Sequence, residues 1–183
     1  DYADRNVDGL VERSSTRPLV TGEVTEKEAL SLFFLLLFFA LVLVLTLTWQ
    51  TVFMSLGGLI LATIYPFMKR YTQLPQVVLG AAFSWSIPMV FVATGQPLSW
   101  IVWALYFANL AWTVAYDTQY AMVDKNDDVK VGIKSTAILF GQYDKLIILL
   151  LQVFSLSLLT ATALWLKLSW PFYVALFISV GLF

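Results

Sequence analysis

The chain has 183 residues, 60% of them hydrophobic and 13% charged, with a mean hydropathy of +0.80. A soluble domain is about 45–50% apolar and about 25% charged, so this composition belongs to an integral membrane protein. The formal net charge of −1 excludes a basic nucleic-acid binder, and no nucleic-acid partner is expected. With no Cys and no His, the sequence offers no disulfide, thiolate or imidazole metal site and no Ser-His-Asp triad. A metal here must be a hard cation on carboxylates, which favours Mg2+, Mn2+ or Ca2+.

The chain opens at Asp1 inside a polar run of 28 residues and stops at Phe183 inside an apolar one, which reads as a piece of a longer protein truncated at both ends. Six apolar stretches follow the polar start, approximately 29–48, 51–67, 76–95, 98–116, 145–166 and 169–183. A helix needs about 20 mostly apolar residues to cross the hydrocarbon, and the first five stretches suffice when tilted. None shows the alternation of a β-barrel strand. The expected fold is therefore all-α, a polytopic transmembrane helical bundle in one partial domain over 1–183. Within the spans, Gly57, Gly58 and Pro88 are of kinds tolerated where neighbouring helices satisfy the backbone. Gly80, Ala81, Ala82 and Ser84 suit a close helix contact, and Trp49, Trp100, Trp165 and Trp170 sit near span ends, where an aromatic belt is expected.

The connections alternate between two faces. One face receives 1–28, 68–75 and 117–144, and with Lys145 it holds ten of the eleven Lys and Arg residues and all twelve acidic ones. The positive-inside rule makes that face cytoplasmic. The opposite connections are a few residues long.

Two segments on the charged face repeat aspartate. DYADRNVDG carries Asp1, Asp4 and Asp8, and YDTQYAMVDKNDD carries Asp117, Asp124 and Asp128, with Asp127 turned aside. Offsets of 3 and 7, or of 7 and 11, align such side chains on one helix face. Like charges so stacked repel, and two stripes on one side of a membrane make sense with divalent cations between them. Mg2+ that also binds phosphate oxygens is the usual mode for carboxylates of this kind. Arg5, Arg13 and Arg17 follow the first cluster, and Lys130 and Lys134 the second, which completes the parts of a diphosphate clamp. In the third charged connection, Lys69 reads as a topology signal. Arg70 reads either way, as a topology signal or as a bidentate partner for a substrate carboxylate.

DYADRNVDG resembles the first aspartate-rich motif of the UbiA-type membrane prenyltransferases, NDxxDxxxD, without its leading Asn. DTQYAMVDKNDDVKVGIKSTAILFG resembles the second motif in the branch that acts on 4-hydroxybenzoate, and RSSTRPLVTG and YPFMKRYTQLPQ are similar to that branch too. The resemblance implies a bundle of nine transmembrane helices around a cavity, of which this chain holds the middle. It implies that Asp4, Asp8, Asp124 and Asp128 hold Mg2+ on a polyprenyl diphosphate, assisted by Asp1 and Asp117. Lys134 and Arg17 would contact diphosphate oxygens, and Arg70 the carboxylate of 4-hydroxybenzoate.

The implied reaction is transfer of the polyprenyl group to the ring of 4-hydroxybenzoate, ortho to the hydroxyl, as a step of ubiquinone biosynthesis. The lipid bilayer supplies the prenyl donor. A bacterial inner membrane is the first expectation for location, with the aspartate motifs facing the cytoplasm; a mitochondrial inner membrane is the second. The alternatives are a related prenyltransferase acting on homogentisate, a naphthoate or a porphyrin and, more remotely, a transporter with an acidic vestibule. A transporter calls for ionisable residues at mid-membrane, and the predicted spans hold none.

Overall fold

A computed structural model describes residues 2–5, 8–10 and 14–181, and all regular structure among them is helical. Two short 3-10 turns, Tyr2–Asp4 and Asp8–Leu10, precede the short helix α1, Pro18–Thr21. Helix α2, Glu26–Leu45, starts at a capping box: the Glu28 N–H donates to Thr25 Oγ1 at 3.3 Å, and the Thr25 N–H donates to Glu28 Oε2 at 2.8 Å. Its 20 residues span about 30 Å, the hydrocarbon thickness, and none of its side chains is buried in the protein.

Helix α3, Trp49–Tyr71, is capped by Thr48 and runs through Pro66 to the basic pair Lys69 and Arg70. The apolar stretch after it is two helices, α4 (Pro75–Ser84) and α5 (Ser86–Ala93), which meet at Trp85. Pro88 explains the break, because it has no N–H to offer the Ser84 carbonyl four residues earlier. Helix α6, Trp100–Val131, continues well past the apolar stretch into the charged segment and ends at Gly132, whose φ of 73° forms a left-handed cap. After a short loop come α7 (Thr136–Phe140), a 3-10 turn, α8 (Asp144–Trp165) and α9 (Trp170–Gly181). Helices α2, α3 and α8 and the α4–α5 pair include segments long and apolar enough to cross a membrane.

Helix α6 is the centre of the bundle, with α4 on one side and α8 on the other. Small side chains make this possible, since Ala104, Ala108, Ala111, Ala115 and Ala121 are all buried on α6. At Gly80 on α4, a Cβ would stand 3.0 Å from the backbone oxygen of Leu110. Polar bonds stitch the same seams: Asn109 Nδ2 donates to Ser84 Oγ at 3.0 Å, and Ser155 Oγ on α8 donates to the Ala108 carbonyl at 2.8 Å. Such contacts average about 0.6 kcal/mol in membranes. They fix register more than they add stability.

The α3–α5 seam depends on one indole. Trp85 Nε1 donates to the Met54 carbonyl at 2.7 Å, and the ring lies so close to Gly57 that a Cβ there would meet Cζ2 at 2.6 Å. Gly57→Ala should push the indole off this bond and cost about 1–3 kcal/mol, read as a lower Tm of the detergent-solubilised protein. Adding Trp85→Phe should recover part of the loss, so that the double-mutant cycle shows coupling. Strict additivity would separate Gly57 from the ring.

Candidate active site

At one end of the bundle a cavity of about 330 Å³ collects side chains from every charged connection. The first aspartate segment enters it as two turns. Asp4 closes the turn Tyr2–Asp4, and its Oδ2 lies 2.8 Å from Lys69 Nζ at the end of α3. Arg70 Nη2 stands 3.9 Å from Asp4 Oδ1 and donates to the Ala3 carbonyl. Asp8 opens the second turn and is only 6% exposed; its Oδ2 accepts from Arg17 Nη1 at 2.8 Å. Arg17 is placed by Pro18, which starts α1 with a φ suited to the first helical position. The expected helical stripe is thus, for Asp4 and Asp8, a pair of turns whose carboxylates are drawn to different cations. Asp1, the third member of that stripe, lies outside the described residues, as does Arg13.

The second aspartate segment lies on α6. Asp117, Tyr120, Ala121 and Asp128 share one helix face and line the cavity. Asp124 belongs to the same face by spacing, is half-buried, and is not among the lining residues. Asp127 turns aside to Lys130, 2.9 Å away.

The loop after α6 supplies the remaining wall. The backbone N–H of Lys134 donates to the Lys69 carbonyl at 3.0 Å, and its Nζ lies 3.3 Å from the Tyr71 carbonyl, where it caps the end of α3. The N–H of Thr136 donates to Gln76 Oε1 at 3.0 Å, and the hydroxyls of Thr136 and Thr118 pair at 2.6 Å. Arg17 and Lys134 therefore reach the cavity, as does Lys69, whereas Arg70 lies beside it. Arg5 turns to Glu26, 2.8 Å away.

Lys69, expected as a topology signal, and Gln76, on which no expectation fell, both line the cavity. Tyr65, Pro66 and Lys69 line the cavity at offsets of 1 and 4 on α3. One helix face cannot present both Lys69 and its neighbour, which turns about 100° away. That periodicity was the available signal for Lys69. Nothing in composition marked Gln76.

The donor set suits a hard cation. Asp4 Oδ1 is buried without a hydrogen-bond partner among the described residues, a carboxylate lone pair available to a ligand. No group of three acidic side chains among the described residues is close enough to form a protein cage. An ion held by one or two carboxylates and completed by phosphate oxygens fits such a site.

The chain matches the UbiA prenyltransferase family over residues 1–183, and it belongs to that family. It is 57% identical over 183 residues to the 4-hydroxybenzoate octaprenyltransferase of Pseudoalteromonas atlantica and 58% identical over 184 residues to that of Klebsiella pneumoniae. All of this chain is covered in both comparisons, and it spans 64% of the length of each relative. Among solved structures, the apo structure of a UbiA homolog from Aeropyrum pernix K1 matches with a TM-score of 0.86 at 25% identity, over 96% of this chain and 67% of that one. The family and the apolar helices together make this an integral membrane protein.

The Asp8–Arg17 pair is poorly solvated on the aspartate side, at 8% side-chain exposure, and open at 37% on the arginine. Asp8→Asn should therefore lower stability by about 1–2 kcal/mol in metal-free protein, measured as a drop in Tm. An unchanged Tm would place the pair outside the energetics of the fold.

Proposed function

We propose that this chain is the catalytic middle of a prenyltransferase that moves a polyprenyl group from its diphosphate to the ring of 4-hydroxybenzoate, ortho to the hydroxyl, in ubiquinone biosynthesis. The observation that carries the reading is the cavity at the end of an apolar bundle where Asp4, Asp8, Asp117 and Asp128 meet Arg17, Lys69 and Lys134. The names of the relatives that match at 57–58% identity support the choice of acceptor.

Asp4, Asp8 and Asp128, with Asp124 beside them and Asp1 and Asp117 assisting, would hold Mg2+ against the diphosphate. When bound, Mg2+ supplies Lewis-acid stabilisation of the negative charge on the departing diphosphate. Arg17, Lys69 and Lys134 add fixed positive charge at the same place, which favours the leaving group over the intact ester. The carbon–oxygen bond breaks to leave an allylic cation, and the ring carbon of the acceptor attacks it. The ring proton then passes to a carboxylate or to the released diphosphate, since the chain has no imidazole. Water must be kept out until the new bond forms, and the apolar helices beneath the cavity serve that end. Arg70, half-exposed beside Asp4, would receive the acceptor carboxylate. In the proposed orientation the cavity faces the cytoplasm from a bacterial inner membrane. The charge asymmetry of the connections and the bacterial origin of the relatives support this.

The test uses membranes carrying the full-length protein, a polyprenyl diphosphate and Mg2+, with 4-hydroxybenzoate, homogentisate and 1,4-dihydroxy-2-naphthoate offered in parallel. The expected result is a prenylated product from 4-hydroxybenzoate alone, lost on chelation. Asp4→Asn and Asp124→Asn should each abolish turnover, and near-normal Mg2+-dependent rates in both would refute the two-segment site. Arg70→Ala should raise KM for the aromatic acid more than KM for the prenyl donor. Equal changes would reduce Arg70 to a topology residue.

A further inference from the structure

Gln76 is a buried amide with one half of its hydrogen bonding accounted for. It opens α4 directly after Pro75, is 5% exposed, and lines the same cavity as the aspartates. Its Oε1 accepts the backbone N–H of Thr136 at 3.0 Å. That bond settles the orientation of the amide, because a backbone N–H needs an acceptor and Oε1 is the only one a glutamine side chain has. The NH2 group must then point away from Thr136. It makes no hydrogen bond among the described residues and is not sealed from the cavity, so it is open to an acceptor that enters there. The residues around the cavity narrow what that acceptor is. Arg17, Lys69 and Lys134 stand there among Asp4, Asp8, Asp117 and Asp128, a mixed lining that suits an anion with several oxygens entering together with a divalent cation.

We propose that Gln76 is a diphosphate-binding residue: Nε2 donates to a non-bridging oxygen of the prenyl diphosphate while Oε1 holds the loop that carries Lys134. The inference rests on the function proposed above, and adds a neutral donor to a site otherwise read from charges alone. It also gives the amide a second task. Anion binding at Nε2 and anchoring of Thr136 at Oε1 belong to one rigid group, so bound diphosphate and the position of Lys134 are coupled.

Two substitutions separate the roles. Gln76→Glu keeps an acceptor for Thr136 and loses the donor; Gln76→Met keeps neutrality and loses both. The full-length protein in detergent is titrated with inorganic diphosphate and Mg2+ by calorimetry at about pH 8, and prenyl transfer kinetics are measured alongside. Gln76→Glu is expected to keep its Tm while binding diphosphate at least about tenfold more weakly, with KM for the prenyl donor raised and KM for the acceptor within about twofold. Gln76→Met should show the same loss of binding together with a lower Tm. Wild-type diphosphate affinity in Gln76→Glu, or a rise in acceptor KM alone, overturns the role of Gln76 and leaves the proposed reaction standing. A wild-type protein that binds no diphosphate overturns both.

Discussion

The backbone bond from Lys134 to the Lys69 carbonyl, with the Gln76–Thr136 and Thr118–Thr136 bonds beside it, ties the end of α3, the start of α4 and the middle of α6 to the short segment that leads into α7. The C-terminus of α3 and the N-terminus of α7 would otherwise meet the aqueous boundary with carbonyls and N–H groups that need partners. Here both have them. Lys134 covers the C-terminus of α3, and Thr136 completes the buried amide at the start of α4. The cavity wall is therefore built from the same bonds that close the bundle, and its charged groups are held by backbone as well as by side chains.

Charge arithmetic at that wall is tight. Four aspartates and three cations line the cavity, which leaves one negative charge by formal count. Asp4 with Lys69 and Asp8 with Arg17 neutralise each other at 2.8 Å. A ligand bearing further negative charge must arrive with a cation or displace these pairs, and Asp4 Oδ1, which accepts no hydrogen bond among the described residues and has Arg70 only at 3.9 Å, is where an added cation meets little competition. The same pairs explain why opposite charges can be packed so densely beside hydrocarbon.

Much of this was legible in the sequence. Each apolar stretch is helical because hydrocarbon leaves the backbone few other ways to satisfy itself. The helical spacing of Asp117, Asp124 and Asp128 corresponds to one face of α6. Other features depend on tertiary contacts that no local pattern encodes. The division of α4 from α5 owes something to Pro88, but the indole of Trp85 reaching Met54 across the seam could not be foreseen. The choice between Lys69 and Arg70 was hidden in a rotation of one residue along α3, and Asp4 and Asp8 reach the cavity from turns instead of a continuous stripe. Gln76 stayed invisible because its importance lies in a backbone N–H 60 residues away.

Helix α6 is continuous over 32 residues, about 48 Å, where the hydrocarbon is about 30 Å thick. The part bearing Asp117 and Asp128 thus continues the helix that packs against α4 and α8, with about 16 Å of arm between those two residues. A change of tilt by about 5°, of the kind that a thicker or thinner bilayer imposes, moves the far end of such an arm by about 1.5 Å relative to the near end. Such a tilt would alter the spacing between α6 and the turns bearing Asp4 and Asp8, so the thickness of the surrounding acyl layer would bear on the geometry of the cavity.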